Sequence, residues 1–151
     1  MHISEIMSKH LVTVSMDDTV EHMNKLFEVH RFHHLLVFDY DRGRIVGVIS
    51  DRDLLKNTSP FMGNMSERPQ DAALLNRKAH QVMSRKPVTV CESTEAVAAC
   101  GIMVRNDVSC LPVTAENSSR IIGLVTWRDL LRWSAKHCGA EPGSSCGLDA
   151  A

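Results

Sequence analysis

Two short segments pair a hydroxyl side chain with a carboxylate three residues later. Ser50 precedes Asp53 and Thr126 precedes Asp129, each after an apolar, β-branched run and at the start of a helical pattern. A carboxylate in the first turn of a helix can accept hydrogen bonds from both hydroxyls of a ribose, each contributing about 1.5–3 kcal/mol. The same spacing also suits a helix cap that serves the backbone alone. The residues leave both roles open.

An arginine stands directly before each carboxylate, as Arg52 and Arg128. The beginning of a helix presents free backbone N–H groups and the positive end of the helix dipole, which attract phosphate. A guanidinium one position before the carboxylate can reach the same anion. Each segment therefore combines groups suited to a sugar with groups suited to a phosphate.

The two segments belong to two copies of one repeat. The offset from Gly47 to Gly123 aligns Ile6–Leu55 with Val82–Leu131 without a gap, and fourteen of the aligned pairs are identical. A register of this length indicates an internal duplication. Units this small are marginal alone, so we expect them to pack on each other. The predicted organisation is repeat 1 at 1–57, a linker at 58–75, repeat 2 at 76–137 and a disordered tail at 138–151.

Hydrophobic periodicity and turn residues predict the order helix, strand, helix, strand, strand, helix in each copy. In repeat 1 the predicted elements are a lead-in helix at Ile3–Met7, strands at Leu11–Val14, Leu35–Asp39 and Arg44–Ser50, a helix that begins after Thr19, and a closing helix at Asp51–Lys56. In repeat 2 they are Ala72–Ser84, Pro87–Val90, Ser93–Arg105, Cys110–Ala115, Arg120–Thr126 and Trp127–His137.

The composition argues against several kinds of partner. The formal net charge is −1 and the pI is about 6.7, which does not favour nucleic acid or an anionic membrane. No apolar run approaches the roughly 18 residues of a membrane span, and the first residues lack the layout of a signal peptide. We therefore expect a cytoplasmic protein that binds neither nucleic acid nor membrane.

Metal binding and catalysis find little support. The five cysteines form no CxxC pair and none lies in repeat 1, so we expect small buried or half-buried residues rather than a disulfide framework or a zinc site. A histidine cluster lacks a carboxylate or cysteine to complete a metal site; it comprises His22, His30, His33 and His34. No Gly-x-Ser-x-Gly motif and no Walker loop occurs. We predict no metal and no enzymatic activity.

The strand-to-helix junctions resemble those of cystathionine β-synthase (CBS) domains. Both copies match the family pattern Gly-apolar-x-Ser/Thr-x-x-Asp, and Leu111-Pro112-Val113 is also typical of the family. The resemblance covers about residues 3–56 and 78–135. It implies an α/β fold of two tandem CBS repeats, each a small three-stranded sheet with helices on one face. The two repeats would pack sheet to sheet as a pseudo-twofold pair, often called a Bateman module.

The resemblance also implies a function. Such pairs bind an adenosine nucleotide in the clefts between repeats as a regulatory ligand, and AMP, ADP or ATP is expected before S-adenosylmethionine or NAD. No cofactor is required. The pair would act as a homodimer and signal occupancy to a separate effector protein. The alternative is a dimeric interaction module with empty or vestigial clefts.

In the family each cleft takes its carboxylate from one repeat and its adenine walls from the other. Carried over by position, the Asp129 cleft consists of Leu124, Thr126, Arg128 and Asp129 with His10, Val12, Phe32 and His33. The Asp53 cleft consists of Val48, Ser50, Arg52 and Asp53 with Lys86, Val88, Val108 and Ser109. The first set is more basic and is expected to accept more phosphate charge. His33 would make a pH-sensitive phosphate contact, or else only local bonds within its strand.

Overall fold

A computed structural model describes residues 1–30, 32–57 and 73–137. The predicted tail and most of the predicted linker lie outside the described residues. Repeat 1 contains a 3-10 turn at Ile3–Glu5 followed by β1 (Thr13–Ser15), α1 (Val20–Val29), β2 (His34–Asp39), β3 (Arg44–Ser50) and α2 (Asp51–Lys56). Repeat 2 contains α3 (Ala79–Val82), β4 (Ser84–Arg85), β5 (Val90–Cys91), α4 (Ala96–Asn106), β6 (Cys110–Thr114), β7 (Ile121–Thr126) and α5 (Trp127–His137).

The lead-in segments differ most from the sequence-based prediction. A single helix over Ala72–Ser84 is wrong, because Lys78 and Met83 both have extended backbone conformations and confine α3 to four residues. Ser84 then pairs with Val48 as part of β4. The first lead-in is likewise only a 3-10 turn. A short segment that is pulled into a sheet loses the helix that its apolar spacing favours.

Two mixed sheets form the framework. The first has the order β1-β2-β3-β4, with β1 parallel to β2 and the other pairs antiparallel. The second has the order β5-β6-β7, with β5 parallel to β6 and β6 antiparallel to β7. The predicted α/β class is confirmed. The first sheet gains its fourth strand from repeat 2, whereas the expected number was three in each.

The lead-in segments are exchanged between the repeats. Ile3 is fully buried in the core of repeat 2, against Leu111 and Val125. Ala79, which occupies the equivalent position in repeat 2, is fully buried in the core of repeat 1 against Leu35. Each repeat therefore completes the core of the other.

A third apolar cluster joins the two sheets. Leu36 and Val48 of repeat 1 are buried against Cys110 of repeat 2. Burial, with a smaller contribution from nearby Asp53, raises the pKa of the Cys110 thiol to about 12, so this cysteine stays protonated at neutral pH. The packing of sheet on sheet that the resemblance implied is therefore present.

The glycine three residues before each hydroxyl residue has a packing reason in both copies. A Cβ atom on Gly123 would lie 2.3 Å from Met7 Sδ, and one on Gly47 would lie 2.4 Å from Met83 Sδ. Both methionines belong to the exchanged lead-in segments. Each glycine thus leaves room for a side chain that arrives from the other repeat.

We expect Gly123→Ala to lower the free energy of unfolding by about 1–3 kcal/mol, the usual effect of overpacking. The added methyl would collide with Met7 Sδ and approach the Ser8 carbonyl oxygen at 3.2 Å. Urea unfolding of the wild type, both single variants and the double variant with Met7→Ala measures the coupling. A coupling free energy near zero would contradict the proposed contact.

Candidate functional site

A cleft of about 320 Å³ opens between the repeats where β3 and β7 end and where α2 and α5 begin. Its lining includes side chains from both repeats. All eight residues predicted for the Asp129 cleft lie along it: His10, Val12, Phe32, His33, Leu124, Thr126, Arg128 and Asp129. The structure therefore brings this set together around one concave surface.

Asp129 uses one carboxylate oxygen to cap its helix. Oδ2 accepts hydrogen bonds from the backbone N–H of Thr126 at 2.9 Å and from its hydroxyl at 2.7 Å. Oδ1 lies 3.7 Å from an Arg132 nitrogen, too far for a hydrogen bond. The side chain keeps 24% of its surface exposed. Capping thus leaves the second oxygen able to accept hydrogen bonds from a ligand.

Repeat 1 repeats the capping geometry. Asp53 Oδ2 accepts from the Ser50 backbone N–H at 2.8 Å and from the Ser50 hydroxyl at 2.7 Å, while the Asp53 N–H donates to Ser50 Oγ at 3.2 Å. The capping role that the spacing left open is therefore present in both copies. It accounts for one oxygen of each carboxylate.

The apolar wall of the cleft is held by backbone hydrogen bonds, both between the repeats and within repeat 1, and by aromatic packing. Ser8 and Leu124 exchange two backbone hydrogen bonds of 2.8 and 2.9 Å, and the Leu36 N–H donates to the Val12 carbonyl at 3.0 Å. The Phe32 ring stacks on His30 with centroids 5.4 Å apart. These contacts fix the surface on which a flat apolar group would lie.

The polar wall contains a bridge between the repeats. His33 Nδ1 lies 2.7 Å from Asp51 Oδ2, and an Arg128 nitrogen lies 2.5 Å from His33 Nε2. Arg128 also lies over the Trp127 ring, 5.6 Å from its centroid. The sequence patterns did not place Asp51 in the cleft, and the counterpart of this residue in repeat 2 is Trp127. The sequence signal that could have identified Asp51 is this difference between the two copies.

The residues predicted for the Asp53 cleft are placed differently. Ser50, Arg52 and Ser109 open onto the cleft of Asp129. Val48 is buried between the sheets. Asp53 caps α2 and does not line the cleft of Asp129. The remaining three are Lys86, which is exposed, and Val88 and Val108, which pack against the core of repeat 2. The two predicted clefts are therefore not built alike.

His34 links the two repeats beside the cleft. Its Nε2 lies 2.9 Å from the Ser109 hydroxyl. Burial is the main cause that lowers the pKa of His34, and the nearby Asp51 and Asp53 carboxylates oppose it in part. The ring is therefore neutral at pH 7 and serves as a hydrogen-bonding contact between the repeats.

Two further features are absent from residues 1–30, 32–57 and 73–137. Within these ranges, no three His, Cys, Asp or Glu side chains lie close enough to hold a metal ion. Nor does any helix there have the length and apolar character needed to cross a membrane.

Comparison with known proteins gives a consistent family match. A family model for the CBS domain matches residues 3–59 and 79–136. The chain is 35% identical over 130 residues to a CBS domain-containing protein of Dictyostelium discoideum, covering 85% of this chain and 88% of that protein. Other relatives are longer, and the chain spans only 20% or 22% of two of them.

Solved structures share the fold. A CBS domain pair in complex with 5′-methylthioadenosine and S-adenosyl-L-methionine superposes with a TM-score of 0.72 at 22% identity, over 90% of this chain and 97% of that one. CBSX2 in complex with AMP gives a TM-score of 0.69 at 23% identity, over 89% and 96%. At these identities the likeness concerns the fold alone.

Proposed function

The chain belongs to the CBS domain family as a tandem pair, and from this premise we propose that it binds an adenosine nucleotide of the AMP, ADP or ATP class in the Asp129 cleft. One observation carries the proposal. Asp129 lines the cleft and caps α5 with Oδ2, while its Oδ1 has no hydrogen-bonding nitrogen of Arg132 within reach. This oxygen is the group that would accept the ribose hydroxyls.

The remaining parts of the cleft fit the rest of such a ligand. The adenine would lie against Val12, Phe32 and Leu124, where burial of apolar surface contributes roughly 25 cal/mol per Å². The phosphate would lie toward Arg128 at the beginning of α5. A volume of about 320 Å³ is at the small end of ligand sites. These features favour one nucleotide with a short phosphate chain.

The charge of the cleft supports an anionic ligand. Three arginines line it, Arg52, Arg128 and Arg132, against two aspartates, Asp51 and Asp129. With neutral histidines the formal charge is +1. A phosphate would therefore meet a favourable potential, strengthened by the low dielectric of a partly enclosed site.

We assign the pair a regulatory role rather than a catalytic one. The walls of the cleft come from both repeats, so a bound nucleotide would bias their relative position by its differential contacts. A separate effector protein would read that bias. Solved relatives that hold AMP, or 5′-methylthioadenosine with S-adenosyl-L-methionine, support an adenosine ligand without choosing among its phosphorylated forms.

The test is a thermal-shift series with AMP, ADP, ATP, S-adenosylmethionine, NAD and adenosine, and with GMP as the matched purine control. A ligand at a hundredfold excess over its Kd stabilises the fold by about 2.7 kcal/mol, which corresponds to a Tm rise of about 5–10 °C for a chain of this size. GMP should give little or no rise. A series in which no adenosine compound moves the transition would refute nucleotide binding.

A second candidate function is a dimeric interaction module. Leu55 and Leu131 occupy equivalent positions on α2 and α5 and are 70% and 57% exposed, and Val97 and Val104 on α4 are 68% and 82% exposed. Light scattering on the same samples measures the mass against the 16.8 kDa chain. A dimer whose melting no adenosine compound affects would favour this second function.

A further inference from the structure

Three charged or titratable side chains form one continuous bridge across the candidate cleft. Asp51 begins α2, His33 lies just before β2, and Arg128 lies in the first turn of α5. The Asp51 backbone N–H donates to the His33 carbonyl at 3.1 Å, which holds the two side chains of repeat 1 side by side. Arg128 reaches His33 from repeat 2.

The protons of this bridge follow from its chemistry. A guanidinium has only donors, so Arg128 donates to His33 Nε2 and that nitrogen carries no proton. The ring is therefore neutral, with its proton on Nδ1, and this N–H donates to Asp51 Oδ2 at 2.7 Å. Asp51 thus fixes the tautomer in which His33 accepts a hydrogen bond from Arg128.

The bridge belongs to one side of the pseudo-twofold pair only. The positions equivalent to Asp51 and His33 are Trp127 and Ser109, whose backbones form the same hydrogen bond of 3.1 Å. Neither side chain can titrate near neutral pH. The equivalent backbone geometry therefore carries a titratable bridge in one copy and an inert pair in the other.

From this arrangement we propose that Asp51, acting through His33, is a specificity-determining residue that couples binding of a phosphate-bearing adenosine ligand to the uptake of one proton. The inference rests on the proposed function of the Asp129 cleft. A dianionic phosphate is a stronger acceptor than a neutral imidazole, so it takes the Arg128 donor from His33. The freed Nε2 lone pair then faces phosphate oxygens, which is repulsive.

A proton from water removes this repulsion. It binds to Nε2, which becomes a donor to the phosphate, while the Nδ1–H remains bonded to Asp51. The imidazolium then lies between two anions, Asp51 and the ligand. His33 and Asp51 side chains are 42% and 41% exposed, so water can deliver the proton. Adenosine has no phosphate group to accept hydrogen bonds from Arg128. Its binding therefore leaves the bridge of Asp51, His33 and Arg128, and the protons of that bridge, unchanged.

The other charges around His33 either favour or oppose a proton on its ring. Arg52 and Arg132 line the same cleft and oppose a further positive charge, as does Arg128 in the free protein, whereas Asp129 favours it. His10 also lines the cleft. His34 lies beside His33 and interacts electrostatically with Asp51, Asp53 and Arg128. When the phosphate binds, its negative charge offsets the positive charge of Arg128. The net charge around His33 then favours a protonated imidazole.

Isothermal titration of AMP and adenosine in buffers of different ionisation enthalpy counts the protons taken up. The series runs from pH 7.0 to 8.5, where the AMP phosphate, with a second pKa near 6, is already a dianion. We expect the wild type to take up about half a proton or more with AMP and none with adenosine. The Kd for AMP should rise about threefold or more per pH unit, while that for adenosine stays within about twofold.

Substitutions at His33 and Asp51 test whether the proton binds to this bridge. His33→Asn should abolish the proton uptake with AMP, and Asp51→Asn should reduce it sharply. Asp17→Asn, at an aspartate that is 85% exposed outside the cleft, is the control and should behave as the wild type. Equal proton uptake in the wild type and His33→Asn would overturn the inference. AMP binding without uptake overturns the inference alone, whereas failure of AMP and adenosine to bind refutes the proposed function with it.

Discussion

Asp129→Asn is expected to weaken AMP binding on the order of 100-fold while the stability of the free protein changes by less than about 1 kcal/mol. The asparagine carbonyl oxygen can replace Oδ2 and accept from the Thr126 N–H and hydroxyl, so the helix cap remains. Its amide NH₂ then occupies the place of Oδ1 and cannot accept from ribose hydroxyls. Titration calorimetry measures the affinity for AMP. Thermal unfolding without ligand measures whether the helix cap still stabilises the free protein.

Asp53→Asn is the matched control. It preserves the equivalent cap on Ser50, and Asp53 does not line the cleft of Asp129. We expect an affinity within about twofold of the wild type. Wild-type AMP binding by Asp129→Asn would remove the ribose-anchor assignment. Equal losses in both variants would mean that the two carboxylates contribute alike, against the asymmetry described above.

Ile3→Ala is expected to lower the free energy of unfolding by about 3–5 kcal/mol, because a fully buried side chain leaves a cavity. The loss should appear in repeat 2, where Ile3 packs against Leu111 and Val125. Hydrogen exchange followed by mass spectrometry locates it: amides of β6, β7 and α4 should lose protection first.

Val29→Ala is the control, since Val29 is 76% exposed and its truncation should change the stability by no more than about 0.5 kcal/mol. If Ile3→Ala instead lowered protection first in α1, β2 and β3, the exchange of lead-in segments would be wrong.

The parts of the fold that local patterns determine could be predicted from the sequence. The bounds of β3, α2 and α5 coincide with those expected, because an apolar, β-branched run ends at a hydroxyl residue that caps a helix. The internal alignment placed one carboxylate in each copy, and the resemblance supplied the eight residues that the structure gathers beside Asp129. Their role in binding stays a prediction.

The remaining features depend on which repeat a segment packs into. An alignment of equivalent positions carries no information about that packing. Ile3 and Ala79 are equivalent, yet each packs in the repeat to which it does not belong. The bridge through His33 joins residues that are 18 and 95 positions apart, so no local pattern reports it. It also relies on Asp51, a position at which the two copies differ.

The exchanged lead-in segments bear on how the chain is made. During synthesis Ile3 is polymerised more than a hundred residues before Val125 and Leu130, which form part of its burial site. At about 5–20 residues per second, this apolar segment waits for several seconds without its partners. Translation speed and chaperone access to this nascent segment should therefore influence the yield of native protein.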